Sequence, residues 1–305
     1  MPPLALTGGT GFVGSSVIDL AVRQGMTVRA LARAAQPPRD GVTWIRGDLA
    51  DNAALEELVA GAGAVLHVAG VVNPPDAAGF TAGNVSGTEA VLAAASGAGV
   101  RRFVFVSSLS AREPALSAYG RSKFLAEELV RVSGLDWTIV RPPAIYGPRD
   151  REMLELFRAA AKLGVVPMPP AAGRASYIHV TDLARLLLAL LPPGAAVSQR
   201  LFEPDDGHAG GWSHGDIARA IGAAVGRRVR VPHLPARLLS LAARLDRMAR
   251  GSRAKLTPDR VGYMSHPDWV CRPEKAPPAD VWQAGVATPE GLAATAAWYR
   301  QQGWL

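Results

Sequence analysis

A serine pair, a tyrosine and a lysine are the residues of this sequence whose types and spacing form the most coherent chemical group. Ser107-Ser108 ends an apolar run, and Tyr119 begins the segment Tyr-Gly-Arg-Ser-Lys that ends at Lys123. A spacing of four residues places the tyrosine and lysine side chains on one face of a helix. A nearby ammonium favours the tyrosinate over the phenol, whose pKa is ordinarily about 10. Tyr119 would therefore exchange a proton with a substrate oxygen, which the Ser108 hydroxyl would also bind.

A glycine-rich turn near the start of the chain supplies the second chemical signal. The apolar run Leu4–Leu6 is followed directly by Thr-Gly-Gly-Thr-Gly-Phe-Val-Gly and then by apolar residues at helical spacing. Glycines at such a turn allow close approach of a pyrophosphate and close packing of the helix on the strand. Free N–H groups at the helix start would hold the phosphates. The sequence therefore predicts a dinucleotide site that includes Thr7, Gly8, Gly11, Phe12, Val13 and Gly14.

The residues after the second predicted strand, Met26–Leu31, indicate which dinucleotide binds. An acidic side chain at this point would bind the ribose hydroxyls of NAD. Here the corresponding residues are Ala32 and Arg33. A guanidinium can bind a 2′-phosphate, and no carboxylate is present to repel one. NADP(H) is therefore the preferred cofactor, with NAD(H) as the alternative. Arg29 is an additional candidate ligand. In the competing interpretation, Arg33 is a solvated surface residue.

Two further segments would complete the cofactor site. Asp48, followed by Leu49, either accepts a hydrogen bond from the adenine amino group or caps the next predicted helix, Asn52–Ala60. The apolar strand beginning at Ala64 ends in Val68, Ala69 and Gly70, whose small size lets a flat cofactor lie over the strand end. His67, inside that strand, is expected to be a core residue and not a base.

The alternation of strands and helices predicts an α/β fold of the Rossmann type, with a doubly wound parallel sheet and helices on both faces. The predicted strands are almost continuously apolar, as expected for a parallel sheet that is covered on both sides. We expect residues 1–191 to form the nucleotide-binding domain, with 165–176 contributing to the substrate cleft. Residues 192–305 would form a smaller C-terminal substrate domain, beginning at Pro192-Pro193-Gly194.

Composition excludes several other classes of protein. The formal charge is +7 over 305 residues, but the arginines are scattered, without the basic runs or interleaved aromatics of a nucleic-acid-binding protein. A single cysteine, Cys271, allows no internal disulfide, and the histidines lack metal-ligand spacing. We therefore expect no metal site. No apolar stretch reaches the length of a membrane span, and no signal peptide is recognisable, which favours a cytoplasmic protein.

Residues 234–250 form a helical pattern with a narrow apolar stripe. The stripe comprises Leu234, Leu238, Leu241, Leu245 and Met248, and the arginines Arg237, Arg244 and Arg247 lie off it. The first interpretation is that the stripe packs on the core of its own domain. A pocket lining, a dimer seam and a peripheral contact with a membrane surface remain open as alternatives.

Taken together, these motifs resemble the extended short-chain dehydrogenase/reductase family, whose members include NAD(P)-dependent epimerases and dehydratases. The resemblance covers essentially the whole chain. It is carried by Thr7–Gly14, Asp48, the segments 67–70 and 84–88, Ser107-Ser108, Tyr119 with Lys123, the segment 141–148, and Ile178-His179-Val180 with Asp182.

The resemblance implies roles for several residues. Tyr119 would be the acid–base, Lys123 would hold the cofactor ribose and tune Tyr119, and Ser108 would be the catalytic serine, ahead of Ser107 and Ser110. Pro142 and Ala144 would contact the nicotinamide end of the cofactor through their backbone. By the same analogy, the predicted helices Thr81–Ala98 and Ser117–Val132 would pair in a homodimer, although the oligomeric state stays open.

Two departures from the family pattern bear on the substrate. The segment between Ser108 and Tyr119 is short, and Arg174 is displaced by one residue from the position of an arginine in the nucleotide-sugar enzymes. The short segment implies a more open site, or one that the C-terminal part closes. The displaced arginine weakens the case for a nucleotide sugar and favours a reductase of less polar carbonyls. The sequence thus predicts an oxidoreductase that transfers a hydride between nicotinamide and a carbonyl or secondary alcohol of a small molecule. A nucleotide-sugar epimerase or dehydratase is the alternative, and a non-catalytic NADP(H)-binding scaffold or redox sensor is a third hypothesis.

Overall fold

A seven-stranded parallel sheet with helices on both sides forms the centre of the first compact unit of the chain. The computed structural model describes residues 2–74, 76–251 and 256–305. The strand order is β10-β6-β5-β4-β1-β2-β3, and every neighbouring pair runs parallel. The predicted fold class is therefore confirmed. The order reverses between β1 and β4, and ligands bind at the carboxyl ends of the strands beside such a reversal.

The elements of the sheet and its helices have the following bounds. The strands are β1 Leu4–Thr7, β2 Val28–Ala32, β3 Val42–Arg46, β4 Ala64–His67, β5 Arg102–Val106, β6 Asp136–Val140 and β10 Arg200–Phe202. The helices are α1 Phe12–Arg23, α2 Asn52–Val59, α3 Ala77–Phe80, α4 Gly87–Gly97, α5 Ala118–Val132 and α7 Val180–Ala189. Helices α2, α4 and α5 pack on one face of the sheet and form a core with it that includes the fully buried Leu55, Val91, Phe103, Val130 and Ile139.

Other elements belong to the rest of the chain. The helices are α6 Leu154–Leu163, α8 His214–Ala224, α9 Ala236–Arg250, α10 Pro258–Met264 and α11 Thr288–Gln301, and the short strands are β7 Ala144–Tyr146, β8 Arg174–Ala175, β9 Tyr177–His179, β11 Trp212–Ser213 and β12 Asp268–Trp269. A separate apolar core joins α6, α8 and α11 through residues such as Phe157, Ile221 and Tyr299. None of the described helices has both the length and the apolar character needed to cross a membrane.

The chain forms two compact units, and it enters each of them more than once. The first comprises Met1–Pro142, Leu183–Glu203 and Lys275–Gln283; the second comprises Pro143–Asp182, Pro204–Glu274 and Ala284–Leu305. The domain boundary predicted at residue 191/192 falls inside the second segment of the first unit. The difference has a physical reason: β10 lies beyond that boundary but completes the central sheet by pairing with β6.

The predicted continuous helix Thr81–Ala98 is divided in the structure. The four-residue α3 leads into a π-helical segment, Thr81–Ser86, and α4 then continues to Gly97. A π-helical turn carries one extra residue per turn, and such turns are frequent at functional sites. The helix expected at 117–132 is confirmed, with Ser117 as its N-cap.

Helix α9 packs with a different face from the one that the apolar stripe predicts. Leu239 and Ala243 are buried against Val261, with Leu234 and Leu256 beside them. The remaining stripe residues face solvent: Leu238 is 51%, Leu241 53%, Leu245 56% and Met248 83% exposed. The expectation that these four residues pack on their own domain is therefore wrong. Arg237 and Arg244 are exposed as expected, whereas the side chain of Arg247 lies outside the described residues.

Candidate active site

The glycine-rich turn joins the carboxyl ends of β1 and β4. The hydroxyl Oγ1 of Thr7 accepts a hydrogen bond from the backbone N–H of Ala69 at 3.1 Å. Gly8 has a φ of +75°, and a Cβ added there would lie 2.7 Å from the Ala69 nitrogen, so only glycine fits. A Cβ at Gly14 would collide with the Gly8 carbonyl oxygen. The structure therefore brings together the two segments, 7–14 and 68–70, in which the sequence predicts cofactor ligands.

The start of α1 suits an anionic group. Gly11 is the N-cap and has no side chain with which to cap the helix, and no acidic residue occupies the first turn. The first backbone N–H groups and the positive end of the helix dipole are therefore available to a phosphate. This cradle, in which a Cβ would fill the space at Gly14, fits the pyrophosphate of a dinucleotide.

His67 is a core residue, as expected. Its Nδ1 lies 2.6 Å from Thr7 Oγ1 and its Nε2 lies 2.9 Å from Thr88 Oγ1, and the ring is fully buried. Burial, assisted by the charge of Lys123, lowers the pKa of His67 to about 3. A neutral imidazole with both nitrogens engaged ties β1, β4 and α4 together beneath the cofactor segments.

A cavity of about 400 Å³ lies at the carboxyl ends of β2 and β3. It is lined by Arg33, Arg46, Gly47, Asp48 and Asp51. Both arginine side chains are exposed, so their charge is available to a ligand. Arg46 escaped the sequence prediction because only the parallel register, which pairs it with Ala32, brings it beside Arg33. The structure thus places the guanidinium of Arg46 beside that of Arg33.

Asp48 and Asp51 have distinct local roles beside this cavity. The carboxylate of Asp48 accepts from the N–H of Ala50 at 2.8 Å, whereas Asp51 is the N-cap of α2 and accepts from the N–H of Ala54. The interpretation of Asp48 as the helix cap is therefore wrong. Arg29 does not line the cavity, since its guanidinium donates to the carbonyls of Glu57 and Ala60.

The two serines after β5 point to different partners. Ser107 is 5% exposed, and its hydroxyl donates to Glu127 Oε1 at 2.6 Å. The half-buried Ser108 caps a short 3-10 helix, and its Oγ accepts from the hydroxyl of Ser110 at 2.9 Å. The backbone N–H and the hydroxyl of Ser110 together engage both lone pairs of the Ser108 oxygen, which leaves its own proton for a ligand. The geometry therefore favours Ser108 over Ser107 as the serine that can contact a substrate.

Lys123 and Tyr119 lie on the same face of α5. The Lys123 ammonium donates to the carbonyl of Val106 at 2.8 Å and lies 4.4 Å from the centroid of the Phe105 ring. Burial lowers the pKa of Lys123 to about 8, and the charge of Glu127 opposes this shift. The Tyr119 ring is half-buried and lies 5.9 Å from the ring of Phe80.

The Lys123 ammonium also lies beside the end of β4. A Cβ added to Gly70 would be 3.6 Å from Lys123 Nζ and 3.2 Å from Asn84 Oδ1. Lys123, Ser108 and the 68–70 segment therefore meet at one edge of the sheet, through the carboxyl ends of β4 and β5. The structure brings the predicted catalytic group and the predicted cofactor segment into a single region of the first unit.

Asn84 connects the π-helical segment to α5. Its side chain exchanges two hydrogen bonds with the backbone of Val71, at 2.7 and 3.0 Å, and donates to Ser122 Oγ at 2.8 Å. The Ser122 hydroxyl in turn donates to the backbone carbonyl of Tyr119 at 2.8 Å. This buried chain of bonds fixes the first turn of α5 relative to β4, and thereby the backbone that carries Tyr119.

A buried ionic network supports the region from behind. Glu127 is fully buried and binds Arg141 through two hydrogen bonds, Nε to Oε1 at 2.8 Å and Nη2 to Oε2 at 2.7 Å. Arg141 also lies 3.6 Å from Glu203. Although burial lowers the pKa of Arg141, the two carboxylates outweigh it and raise that pKa overall. The network holds the end of β6 in place, where the carbonyl of Pro142 accepts from the N–H of Leu109 at 2.9 Å.

Two of the remaining predicted cofactor ligands, Leu49 and Ala144, lie in different compact units. Leu49 packs against the core of the first unit next to Gly87. Ala144 begins β7 and belongs to the second unit. The described residues contain no cluster of three or more His, Cys, Asp or Glu side chains suited to a metal ion.

The fold and this arrangement define an NAD(P)-dependent oxidoreductase of the short-chain dehydrogenase/reductase type. Residues 4–202 match the NAD dependent epimerase/dehydratase family, and the chain belongs to that family. The expectation drawn from the resemblance is confirmed at this level.

Relatives of known name and structure agree with this assignment. Over 317 aligned residues, the chain is 36% identical to the ceramide reductase of Caulobacter vibrioides, with 99% of this chain and 96% of the relative covered. It is 30% identical to a 2-alkyl-3-oxoalkanoate reductase of Stenotrophomonas maltophilia, covering 65% of this chain and 69% of the relative. A solved structure of the Bordetella bronchiseptica enzyme WbmG in complex with NAD and UDP matches with a TM-score of 0.75 and 21% identity, covering 99% and 96% of the two chains, and shows the shared fold.

Proposed function

We propose that this protein is an NADP-preferring reductase that converts a ketone on a ceramide-type lipid to a secondary alcohol. One observation carries the substrate class: the similarity to a ceramide reductase extends over almost the full length of both chains. A second relative is also named as the reductase of a 3-oxo acid with an alkyl branch. Both names describe reductases of molecules with long or branched apolar parts, in agreement with the preference for less polar carbonyls inferred from the sequence.

The side chains of the first unit suit the reduction of a ketone. Ser108 donates a hydrogen bond to the carbonyl oxygen, and the phenol of Tyr119 donates the proton that this oxygen needs to become an alcohol. The hydride for the carbonyl carbon would come from the reduced nicotinamide of the cofactor when it is bound. Lys123, with its pKa near 8, is mainly protonated at neutral pH and favours the tyrosinate that remains after proton donation. Hydrogen bonds of Asn84 and Glu127 fix the position of α5, and thereby the positions of Tyr119 and Lys123 relative to Ser108.

The preference for NADP(H) rests on the cavity beside β2 and β3. Arg33 and Arg46 both line it, and charge-assisted hydrogen bonds from two guanidiniums suit a 2′-phosphate. The end of β2, where an NAD-specific enzyme carries a carboxylate for the ribose hydroxyls, holds Ala32 and Arg33 instead. The cradle at Gly8–Gly14 would hold the pyrophosphate of either dinucleotide.

The alternative is a nucleotide-sugar epimerase, which would retain its cofactor in the same redox state over a cycle. Its support is the fold, which the chain shares with solved structures of MoeE5 in complex with UDP-glucose or UDP-glucuronic acid and NAD. One contact within the second unit weighs against it. The guanidinium of Arg174 donates to the carbonyls of Gly210 at 2.6 Å and of Gly211 at 2.5 Å, so the protein itself engages two of its five N–H donors and fixes its position.

The decisive experiment compares the two substrate classes with the same enzyme preparation. A 3-oxo ceramide in detergent micelles should be reduced with loss of the absorbance of NADPH, and mass spectrometry should show a product heavier by two hydrogens. UDP-glucose should give no epimer and no absorbance change. Epimerisation of the sugar nucleotide without net NADPH consumption would replace the proposal with the alternative. Tight NADPH binding without turnover of any carbonyl would favour a scaffold or sensor.

Tyr119→Phe tests the catalytic assignment. The phenol is the only proton donor assigned to the substrate oxygen, and such a donor typically contributes about 10²- to 10⁴-fold. Turnover should fall by a factor in that range, while the Kd for NADPH changes by less than about threefold because the ring is retained. Ser108→Ala should lower turnover as well, because it removes the second hydrogen bond to the carbonyl oxygen. Wild-type turnover in Tyr119→Phe would refute the role of Tyr119.

A further inference from the structure

Helix α9 carries two apolar faces, of which its own unit covers only one. Leu239 and Ala243 are buried against Val261. Leu238, Leu241, Leu245 and Met248 are all more than half exposed. Monomeric soluble proteins seldom leave four large apolar side chains side by side in solvent, and such a patch commonly marks a binding surface.

Helical geometry places the exposed residues on one stripe. With about 100° between successive residues, Leu238, Leu241, Leu245 and Met248 fall within an arc of about 80°. Leu239 and Ala243 lie on the opposite side of the helix, about 160° from Leu241 in either direction. The exposed stripe therefore points away from the surface on which α9 packs, and a small shift of the helix would not bury it.

Positive charge flanks the exposed stripe. By the same geometry, Arg237 and Arg244 lie about 40° and 60° from Leu241, along one edge of the stripe. Both side chains are exposed, and no hydrogen bond or ion pair joins them to another described residue. The carboxylate of Asp246 lies on the packed side, where it binds Arg250 at 3.2 Å and the N–H of Leu256 at 2.9 Å. The exposed face is thus apolar and cationic, without a neutralising acid.

We propose that α9 is a membrane-surface helix that lies flat on an anionic lipid bilayer, with its leucine and methionine side chains inserted among the upper acyl chains. An apolar stripe bordered by arginine is the pattern of helices that lie in the interface. The net charge of +7 adds a general attraction to such a surface. The inference stands on the helix alone and does not depend on the substrate.

A second copy of the chain fits the same face less well. A twofold pairing of α9 would bring Arg237 and Arg244 from both copies to one interface. The face offers them no carboxylate, because Asp246 is engaged on the other side. Anionic headgroups supply the missing negative charge, whereas a symmetric partner adds more positive charge.

The test measures binding of the full-length protein to vesicles by flotation. Phosphatidylcholine vesicles with about 30% phosphatidylglycerol should bind the protein, and pure phosphatidylcholine vesicles should bind it at least about tenfold more weakly. Leu241→Glu with Leu245→Glu should lower the partition coefficient on anionic vesicles at least about tenfold, because two inserted apolar side chains become charged. Arg237→Gln with Arg244→Gln should reduce it on anionic vesicles only.

A matched control separates this face from general changes in surface charge. Val132 and Leu163 are exposed apolar residues at the ends of α5 and α6. Val132→Glu with Leu163→Glu adds the same two charges elsewhere and should leave vesicle binding within about twofold of the wild type. The far-UV circular dichroism spectrum and the thermal unfolding midpoint should be unchanged in the α9 variants, which verifies that they fold.

Three results would overturn the proposal. The wild-type protein could remain unbound by anionic vesicles. The control variant could lose binding as strongly as the α9 variant. Sedimentation could show a dimer that Leu241→Glu with Leu245→Glu dissociates, which would assign the stripe to a second copy. Because these measurements concern lipid binding and oligomeric state, they are independent of whether the proposed ceramide-type substrate is correct.

Discussion

Replacing Arg33 and Arg46 by alanine, singly and together, tests the cofactor preference at the level of individual charges. Both side chains line the cavity beside β2 and β3, where the 2′-phosphate of NADP(H) would bind. NADH lacks this phosphate, so its affinity measures the rest of the site, whereas the affinity for NADPH also includes the contribution of the cavity. The variants should weaken NADPH binding and leave NADH binding within about threefold of the wild type.

The expected magnitude follows from the exposure and surroundings of the two arginines. Hydrogen bonds to charged groups contribute about 1.5–3 kcal/mol. Both guanidiniums are exposed, and Asp48 and Asp51 line the same cavity, so solvent and negative charge favour the low end of that range. About 1.5 kcal/mol corresponds to roughly a tenfold loss of NADPH affinity for each variant. The double variant should lose about 100-fold if the two contributions are independent.

Isothermal titration calorimetry with each cofactor, at low and at moderate ionic strength, gives the required Kd values. The loss in the variants should shrink as salt rises, because the interaction is between exposed charges. Arg23→Ala is the control: Arg23 is an exposed arginine in the last turn of α1, and it does not line the cavity. Equal affinity of the wild type for NADPH and NADH, or an equal loss for both cofactors in the double variant, would refute the reasoning.

Three further variants test the scaffold around the site. Gly8→Ala should weaken the binding of both cofactors at least about tenfold, because the added Cβ would lie 2.7 Å from the Ala69 nitrogen and the φ of this residue is positive. An unchanged affinity in calorimetry would contradict the assignment of this turn as the pyrophosphate site. Glu127→Gln should destabilise the fold by about 1.5–3 kcal/mol in urea unfolding, since the half-buried Arg141 loses one of its two carboxylate partners and keeps Glu203. Because the pKa of His67 is lowered to about 3 in the folded protein, only the unfolded chain binds this proton between about pH 6.5 and pH 3, and the free energy of unfolding should fall as the pH drops through that range. His67→Asn should flatten this dependence. Parallel pH profiles for the wild type and the variant would contradict it.

Local signals account for the parts of the molecule that the sequence predicts well. The turn at 7–14 and the helix at 117–132 agree with the structure because glycine spacing, an N-cap serine and helical periodicity are short-range properties. Ser108, Tyr119 and Lys123 lie in the positions expected from a strand end and one helix face. The roles assigned to them remain predictions until the variants are measured.

Properties that depend on distant pairing escape the sequence. Arg46 joins Arg33 only through the register of two parallel strands, and β10 joins the sheet from beyond the predicted boundary. The π-helical turn at Thr81–Ser86 has no recognisable pattern, because its hydrogen bonds skip one more residue than those of an α-helix. For α9 the periodicity is correct, but two apolar faces compete and the sequence does not say which one packs.

The face of α5 has a consequence for how this region tolerates change in length. Tyr119, Lys123 and Glu127 are spaced four residues apart along this helix. Tyr119 lies beside Phe80, Lys123 donates to the carbonyl of Val106, and Glu127 binds the half-buried Arg141. A single inserted residue after Tyr119 would rotate everything beyond it by about 100° relative to the phenol. An insertion would therefore move the Lys123 ammonium and the Glu127 carboxylate away from the Tyr119 phenol at the same time, whereas most substitutions would alter only one of these three groups. Insertions directly after Val132 should be tolerated, because the helix has ended there and an added residue would not rotate Tyr119, Lys123 and Glu127 relative to one another.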